Sequence, residues 1–375
     1  MPEILADEPL APHTTLRLGG PARRFTVAAT EEELVGAVRA ADADGEPLLL
    51  LAGGSNLVIA DAGFDGTVAH ITTQGITRAQ AVGGRVRLTV AAGEPWDDVV
   101  AGAVADGLAG IECLSGIPGS TGATPIQNVG AYGQEVADTI VGVRALDRRT
   151  GAVVELAPDA CAFAYRSSAF KHTTSHVVLA VTFELDAAAV SGPLRYGELA
   201  RTLGAATGAG APLGEVREAV LGLRRGKGMV LDAADHDTWS AGSFFTNPIL
   251  DAAGFAALEE RARTLLGADA RPPRFPEPDG RVKTSAAWLI EAAGFARGEA
   301  RGPVALSTRH ALALTNRGGA TTAALVALGV ATRLAARAAR SPRASRRVSA
   351  SRSHPSRCSS ASRGADRLCD ETLLT

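Results

Sequence analysis

The segment Ser115-Gly116-Ile117-Pro118-Gly119-Ser120-Thr121-Gly122-Ala123-Thr124-Pro125-Ile126-Gln127-Asn128-Val129-Gly130-Ala131-Tyr132-Gly133 carries five glycines in nineteen residues. Glycines at this density let the main chain take positive φ and approach a ligand closely. Successive N–H groups in such a loop form an anion nest of the size of a diphosphate. The hydroxyls of Ser115, Ser120 and Thr121 can add donors. Working outward, Leu48 to Leu51 is an all-apolar run and reads as a buried strand. It ends in Gly53-Gly54-Ser55-Asn56, a second and shorter loop of the same kind. One such turn is commonly only a turn, whereas two in one domain point to a dinucleotide.

Several common signatures are missing, which leaves a Rossmann domain, a P-loop, a zinc protease and a serine hydrolase unsupported. No GxGxxG follows the first strand. Gly226-Lys227-Gly228 lacks the spacing and the Ser/Thr of a P-loop. Neither HExxH nor GxSxG occurs.

Around these loops, strands and helices interleave. Thr30 to Glu33 reads as a capping box opening a helix that stops near Gly45. Arg85 to Val90 alternates and reads as a half-buried strand, and Pro95 starts a helix carrying Trp96, Val99, Val100 and Val104. Beyond Gly192, helices are predicted over Ala211–Gly226, Ile249–Leu266 and Ser285–Gly294, then a strand over Ala311–Thr315 and a last helix from Thr321.

The chain has 375 residues, 46% of them hydrophobic and 21% charged, enough apolar material for real cores. Its net charge of −2 gives no reason to expect a nucleic-acid partner. No apolar run reaches membrane-spanning length, and the acidic N-terminus does not resemble a signal peptide. Cys113, Cys161, Cys358 and Cys369 form no CxxC pair, which fits a reducing cytoplasm. Only Lys171, Lys227 and Lys283 break the chain's habit of writing positive charge as arginine. Such positions are the first to search for a needed ammonium.

Two further clusters carry chemistry. In Tyr165-Arg166-Ser167-Ser168-Ala169-Phe170-Lys171, the arginine is either a solvated loop residue or a two-pronged carboxylate binder. In Ala241-Gly242-Ser243-Phe244-Phe245-Thr246-Asn247-Pro248, Ser243 is a loop hydroxyl, a nucleophile or a proton relay. His236 is the histidine nearest to it in sequence.

Together with Thr14–Ala22, LAGGSNLV from Leu51, RYGEL around Tyr196, RRGK ending at Lys227 and VKTSAAWLIEAAGF from Val282, these segments resemble the UDP-N-acetylenolpyruvoylglucosamine reductase family, in order from residue 14 to about 328. The resemblance implies an α+β protein. A two-lobed FAD-binding domain of the vanillyl-alcohol oxidase (PCMH) type, residues 1–192, precedes a smaller α+β substrate-binding domain, residues 193–336. It implies FAD as cofactor and NADPH as reducing co-substrate. The partner is a UDP-sugar enolpyruvate, whose reduction yields UDP-N-acetylmuramate for peptidoglycan, with no nucleic acid, no membrane insertion, a monomer and a cytoplasmic location. On its motifs, FAD contacts fall on Gly53, Gly54, Ser55, Asn56, Ser115, Gly116, Ile117, Pro118, Gly119, Ser120, Gly122, Asn128, Gly130 and Ala131. Tyr132, Tyr196, Lys227 and Asn247 take the sugar diphosphate, Arg166 neutralises the enolate and Ser243 supplies the proton. No metal is implied.

After Leu328 the pattern departs. The family ends in a strand of the form LxPEVxFxG, whose glutamate assists the enol intermediate. Here residues 341–363 hold nine Ser and six Arg and no acid. Residues 337–375 are expected to be a disordered tail, with an RNA- or membrane-surface arm as the sharper option, since Arg/Ser tracts can bind phosphates. The abrupt switch is what a shifted reading frame produces. Two other readings therefore stand beside the reductase: a catalytically impaired FAD-binding homologue and a sugar-nucleotide flavin oxidase.

Overall fold

A computed structural model describes residues 3–340, and of residues 338–340 the backbone alone. The chain divides into two compact units, Met1–Asp232 and Ala233–Thr375.

The first unit holds two sheets. Strands β1 (Ile4–Pro9), β2 (Pro21–Ala28), β3 (Leu48–Leu51) and β4 (Phe64–Ile71), with helix α1 (Glu31–Asp44) between β2 and β3, build a sheet of order β1-β2-β4-β3. Its β2–β4 and β3–β4 pairs are parallel. The second sheet uses β5 (Ile76–Gln80), β6 (Arg85–Ala91) and, after helix α2 (Trp96–Ala105), β7 (Leu108–Ala109). A two-stranded ribbon of β8 (Gly130–Ala131) and β9 (Gln134–Glu135) follows. The second sheet then resumes with β10 (Ile140–Asp147), β11 (Ala152–Leu156) and β12 (His176–Ala187) in the order β11-β10-β12-β6-β5, with β7 on β12.

Helix α1 starts because Thr30 accepts the Glu33 N–H while Glu33 caps the Thr30 N–H, and it stops at Gly45 in the left-handed region. Its apolar face, Leu34, Val35 and Val38, packs with Ala69 and Ile71 of the first sheet and Val177 and Leu179 of the second. The two lobes thus share one core through α1. Helix α2 buries Trp96, Val99 and Val100 against Val90, Val181 and Phe183.

The remaining elements of this unit are α3 (Pro158–Cys161), α4 (Gly197–Thr202) and α5 (Leu213–Gly226). Leu194, Leu199, Val216 and Val220 pack on Cys113. Residues 193–232 therefore lie with the first unit, whereas the sequence-based boundary fell at 192.

The second unit contains β13 (Ile249–Leu250), α6 (Ala252–Leu266), β14 (Phe275–Pro276), β15 (Val282–Lys283), α7 (Ala286–Ala292), β16 (Ala300–Arg301), β17 (Val304–Leu306), β18 (Leu314–Asn316) and α8 (Thr322–Arg340). Three details differ from the sequence-based expectation. The helix predicted from Ile249 begins at Ala252, because Asp251 accepts the Gly254 N–H as its cap and Ile249–Leu250 pair with Val282–Lys283 instead. The strand predicted at Ala311 begins at Leu314, where pairing with β17 starts. Residues 337–340, expected in the tail, continue α8. The rest of the tail, with the glutamate question, lies outside the described residues. Among those described, no helix is long and apolar enough to cross a membrane.

Candidate active site

The two glycine-rich loops of the first unit touch. A Cβ on Gly53 would stand 2.7 Å from Gly119 Cα, and the Ser55 hydroxyl donates to the Pro118 carbonyl at 3.1 Å. Gly54 sits at φ 58°, where a Cβ would meet the His13 carbonyl oxygen at 2.0 Å. Several donors of the long loop are committed inside the protein. Thr121 and Gly122 N–H donate to the Glu94 and Ala92 carbonyls, suturing the loop to the end of β6. The Gly116 N–H donates to Asp97 at 2.6 Å, and buried Ser115 donates its hydroxyl to the Glu112 carbonyl. The N–H groups of Gly53, Gly54, Ser55, Ile117, Gly119 and Ser120 find no acceptor among the described residues. These unused donors lie on the two loops that meet at Gly53 and Gly119. Ser115, Gly116 and Gly122 hold the longer loop in shape. Asn56 is exposed on the shorter one.

Asp97 anchors this arrangement. Burial pushes its carboxyl up, but two hydrogen bonds from Arg217 (2.6 and 2.9 Å), the Gly116 N–H and the nearby guanidinium charges outweigh that and hold it low. One carboxylate therefore ties α2, α5 and the loop together.

Farther along, Asn128 takes φ 45° and spends its amide on the Glu135 carboxylate (2.6 Å), the Ala164 carbonyl (3.2 Å) and the Ala137 N–H (3.1 Å). This locks the loop to the Ala164–Ser167 turn, which closes through two mutual backbone hydrogen bonds of 3.0 Å. Arg166 sits in that turn at φ 53°. Its guanidinium donates to the Asn128 carbonyl at 3.3 Å and the Gly130 carbonyl at 2.5 Å, and it makes no ion pair among the described residues. Two carbonyls thus orient this half-buried guanidinium, whose carbon also stands 5.8 Å from the Tyr165 ring centre. Ala131 lies in the β8–β9 ribbon beside it.

Tyr132, Tyr196 and Lys227 also come together in this unit. The Tyr132 and Tyr196 rings meet edge to face at 5.4 Å, and the Lys227 ammonium stands 5.6 Å from the Tyr132 ring centre. Lys227 pairs with Glu198 at 2.8 Å. Burial pulls the ammonium down, but the Glu198 hydrogen bond and the tyrosines outweigh it and raise its pKa. Burial likewise pushes the Tyr132 phenol up. Both buried cysteines are protonated at neutral pH: burial lifts Cys113 to about 12 and Cys161 to about 11.

Ser243 and Asn247 belong to the second unit. Gly242 at φ 73° turns the chain, Phe244 N–H donates to the Leu312 carbonyl, and the Phe244 and Phe245 rings stack edge to face. Ser243 is exposed, with Oγ 3.0 Å from His310 Nε2. Sequence reasoning missed His310, 67 positions away, and considered His236. That ring packs at a tilt against Trp239 instead, with ring centres 4.2 Å apart. Asp237 holds the His310 turn by accepting from Thr308 N–H (3.0 Å) and hydroxyl (2.6 Å). Asn247 uses its carbonyl oxygen on the Ala286 N–H at the start of α7.

Residues 22–157 match a family model described as an FAD binding domain, and residues 234–338 match the UDP-N-acetylenolpyruvoylglucosamine reductase C-terminal domain. A UDP-N-acetylenolpyruvoylglucosamine reductase of Streptomyces coelicolor is 60% identical over 86% of this chain and 84% of its own length. The proteins of that name from Thermobifida fusca and Mycolicibacterium smegmatis are 56% and 55% identical, over 85% and 87% of this chain and 90% and 89% of theirs. Among solved structures, the reductase (MurB) of Thermus caldophilus shares the fold at TM-score 0.58 and 24% identity, covering 88% of this chain and 94% of that one.

Proposed function

The chain belongs to the UDP-N-acetylenolpyruvoylglucosamine reductase family, and on that premise we propose how its residues divide the reaction. The overall activity is FAD-dependent, NADPH-driven reduction of the enolpyruvyl UDP-sugar to UDP-N-acetylmuramate in peptidoglycan synthesis. When bound, FAD supplies the hydride that NADPH provides. The donors on Gly53, Gly54, Ser55, Ile117, Gly119 and Ser120 suit its pyrophosphate.

The chain's own residues do the rest. Addition of hydride to the alkene, before the proton arrives, leaves negative charge beside the substrate carboxylate. Arg166 neutralises that charge, since its guanidinium is already oriented and has no carboxylate paired with it among the described residues. A preorganised donor of this kind is worth about 3–4 kcal/mol. Ser243 delivers the proton to the carbon that carries the charge, with His310 orienting its hydroxyl. Serine is a weak acid in water, so the step needs a strongly basic enolate and a dry site, which Phe244 and Phe245 favour. Tyr132, Tyr196 and Lys227 receive the sugar diphosphate, with Asn247 offering its amide NH₂.

The observation that carries this reading is the Arg166 guanidinium, held by the carbonyls of Asn128 and Gly130 with no ion pair among the described residues. Ser243→Ala tests the division of labour in stopped flow. Flavin reduction by NADPH stays at the wild-type rate, while reoxidation by the enolpyruvyl sugar slows about 10²–10⁴-fold. Equal loss in both half-reactions contradicts it. The proposed setting is a monomer in the cytoplasm, tested by gel filtration and cell fractionation.

A further inference from the structure

The three lysines of this chain are used differently. Lys227 pairs with Glu198 at 2.8 Å and Lys283 with Glu277 at 2.7 Å. Lys171 makes no ion pair among the described residues. Its ammonium donates to the main-chain carbonyl of Arg166 at 2.7 Å. Burial and the neighbouring guanidinium both push its pKa down, so the contact places two cations side by side without a carboxylate between them. An arrangement that electrostatics opposes calls for a geometric reason.

Arg166 supplies that reason. It occupies the left-handed region at φ 53°, which a side chain larger than glycine disfavours. Relaxing to negative φ would rotate its peptide and swing the guanidinium off the Asn128 and Gly130 carbonyls. The Lys171 ammonium grips the carbonyl of that same peptide. Its stem is rooted firmly. Lys171 N–H donates to the Ser168 carbonyl, Ser168 hydroxyl donates to the Ile126 carbonyl at 2.6 Å, and Phe170 is buried in the core of the second sheet. The clamp therefore runs from that core through Phe170 and Lys171 to the backbone of Arg166.

We propose that Lys171 is a positioning residue for the reduction, fixing the left-handed Arg166 peptide so that the guanidinium meets the substrate carboxylate already aligned. The inference deepens the role given to Arg166 and rests on it.

The test uses the FAD-loaded full chain. Lys171→Met keeps the length of the stem and removes the donor. It is expected to slow reoxidation of the reduced flavin by the enolpyruvyl sugar about 10- to 100-fold, the cost of a misplaced group. Reduction by NADPH and the flavin spectrum stay within about twofold of wild type. Lys171→Arg retains a donor and recovers most of the rate. A residue that acts through another has nothing left to do once its partner is gone. Adding Lys171→Met to Arg166→Met therefore costs no more than about twofold.

Wild-type reoxidation in Lys171→Met, equal slowing of both half-reactions, no recovery in Lys171→Arg, or full additivity in the double variant each overturns the proposal. If Arg166→Met alone reoxidises at the wild-type rate, the role of Arg166 itself falls. If Arg166→Met is slow and Lys171→Met is not, only the clamp falls.

Discussion

Gly53→Ala probes the meeting of the two loops with one methyl group. Gly53 does not occupy the left-handed region, so alanine meets no φ penalty there and any effect comes from contact. The new Cβ would lie 2.7 Å from Gly119 Cα, 3.0 Å from Gly119 C and 3.3 Å from Ser120 N, all main-chain atoms that cannot rotate away. Comfortable carbon–carbon separations are about 3.5–4.0 Å, so the loops must part by roughly 1 Å. A displacement of that size takes a donor out of hydrogen-bonding range. Hydrogen bonds to a charged group contribute about 1.5–3 kcal/mol each. Losing one from the pyrophosphate costs about 1.5–3 kcal/mol, or roughly 10- to 150-fold in FAD affinity. Quenching of FAD fluorescence on titration into deflavinated protein measures this directly, and melting of the apoprotein separates it from loss of stability. Gly36→Ala is the control. That glycine is exposed on α1 with nothing within 4 Å of its would-be Cβ, so alanine there raises stability by about 0.5–1 kcal/mol and leaves FAD binding alone. An FAD affinity for Gly53→Ala within twofold of wild type would refute the idea that these loops grip the pyrophosphate together.

Two further perturbations act on the frame. Asp97 has a folded pKa below its unfolded value of 3.8, so its contribution to stability is complete above that value and disappears as pH falls through the folded pKa. Urea unfolding from pH 6 down to pH 3 should show a loss of stability that is smaller in Asp97→Asn; parallel curves for the two proteins would count against this account. Thr30→Ala removes one half of the α1 capping box and should cost about 1 kcal/mol, read as a lower urea midpoint with unchanged slope; an unchanged midpoint would show that the cap is redundant.

Local chemistry was legible in the sequence wherever neighbouring residues settle it. Thr30 and Glu33 define a cap between themselves, four leucines declare a buried strand, and the glycines of both loops advertise close approach. Facts that depend on distant partners were not. Apolar positions in α4 and α5 announce burial without naming a neighbour, so only the structure seats them on Cys113. The Ile249–Leu250 pair reads as the start of a helix until Val282–Lys283 claims it as a strand. His310 bears no mark in the sequence that ties it to Ser243, because the tie exists only after the chain folds. For Arg166, a solvated arginine and an anion-binding one look alike in sequence, since the carbonyls that hold it belong to every residue type.

That last point explains why one loop can serve both signs of charge. A peptide unit is positive at its N–H and negative at its carbonyl, and the loop from Ser115 to Gly133 uses the two ends in different stretches. Around Ile117, Gly119 and Ser120 the N–H groups are left over, because Asp97, Ala92 and Glu94 take up the neighbouring donors. Around Asn128 and Gly130 the carbonyls are turned onto the Arg166 guanidinium. Asn128 sits at the change of direction: at a positive φ that asparagine tolerates, its side-chain amide bonds Glu135, Ala164 and Ala137 while its own carbonyl accepts from Arg166. A stretch with unused N–H donors and a stretch whose carbonyls hold a guanidinium thereby lie within one nineteen-residue loop. On the proposed roles, one loop sets both the cofactor cradle and the charge-neutralising arginine, each through its own ties: Asp97, Glu94 and Ala92 for the first, and Glu135, Ala164 and Ala137 for the second.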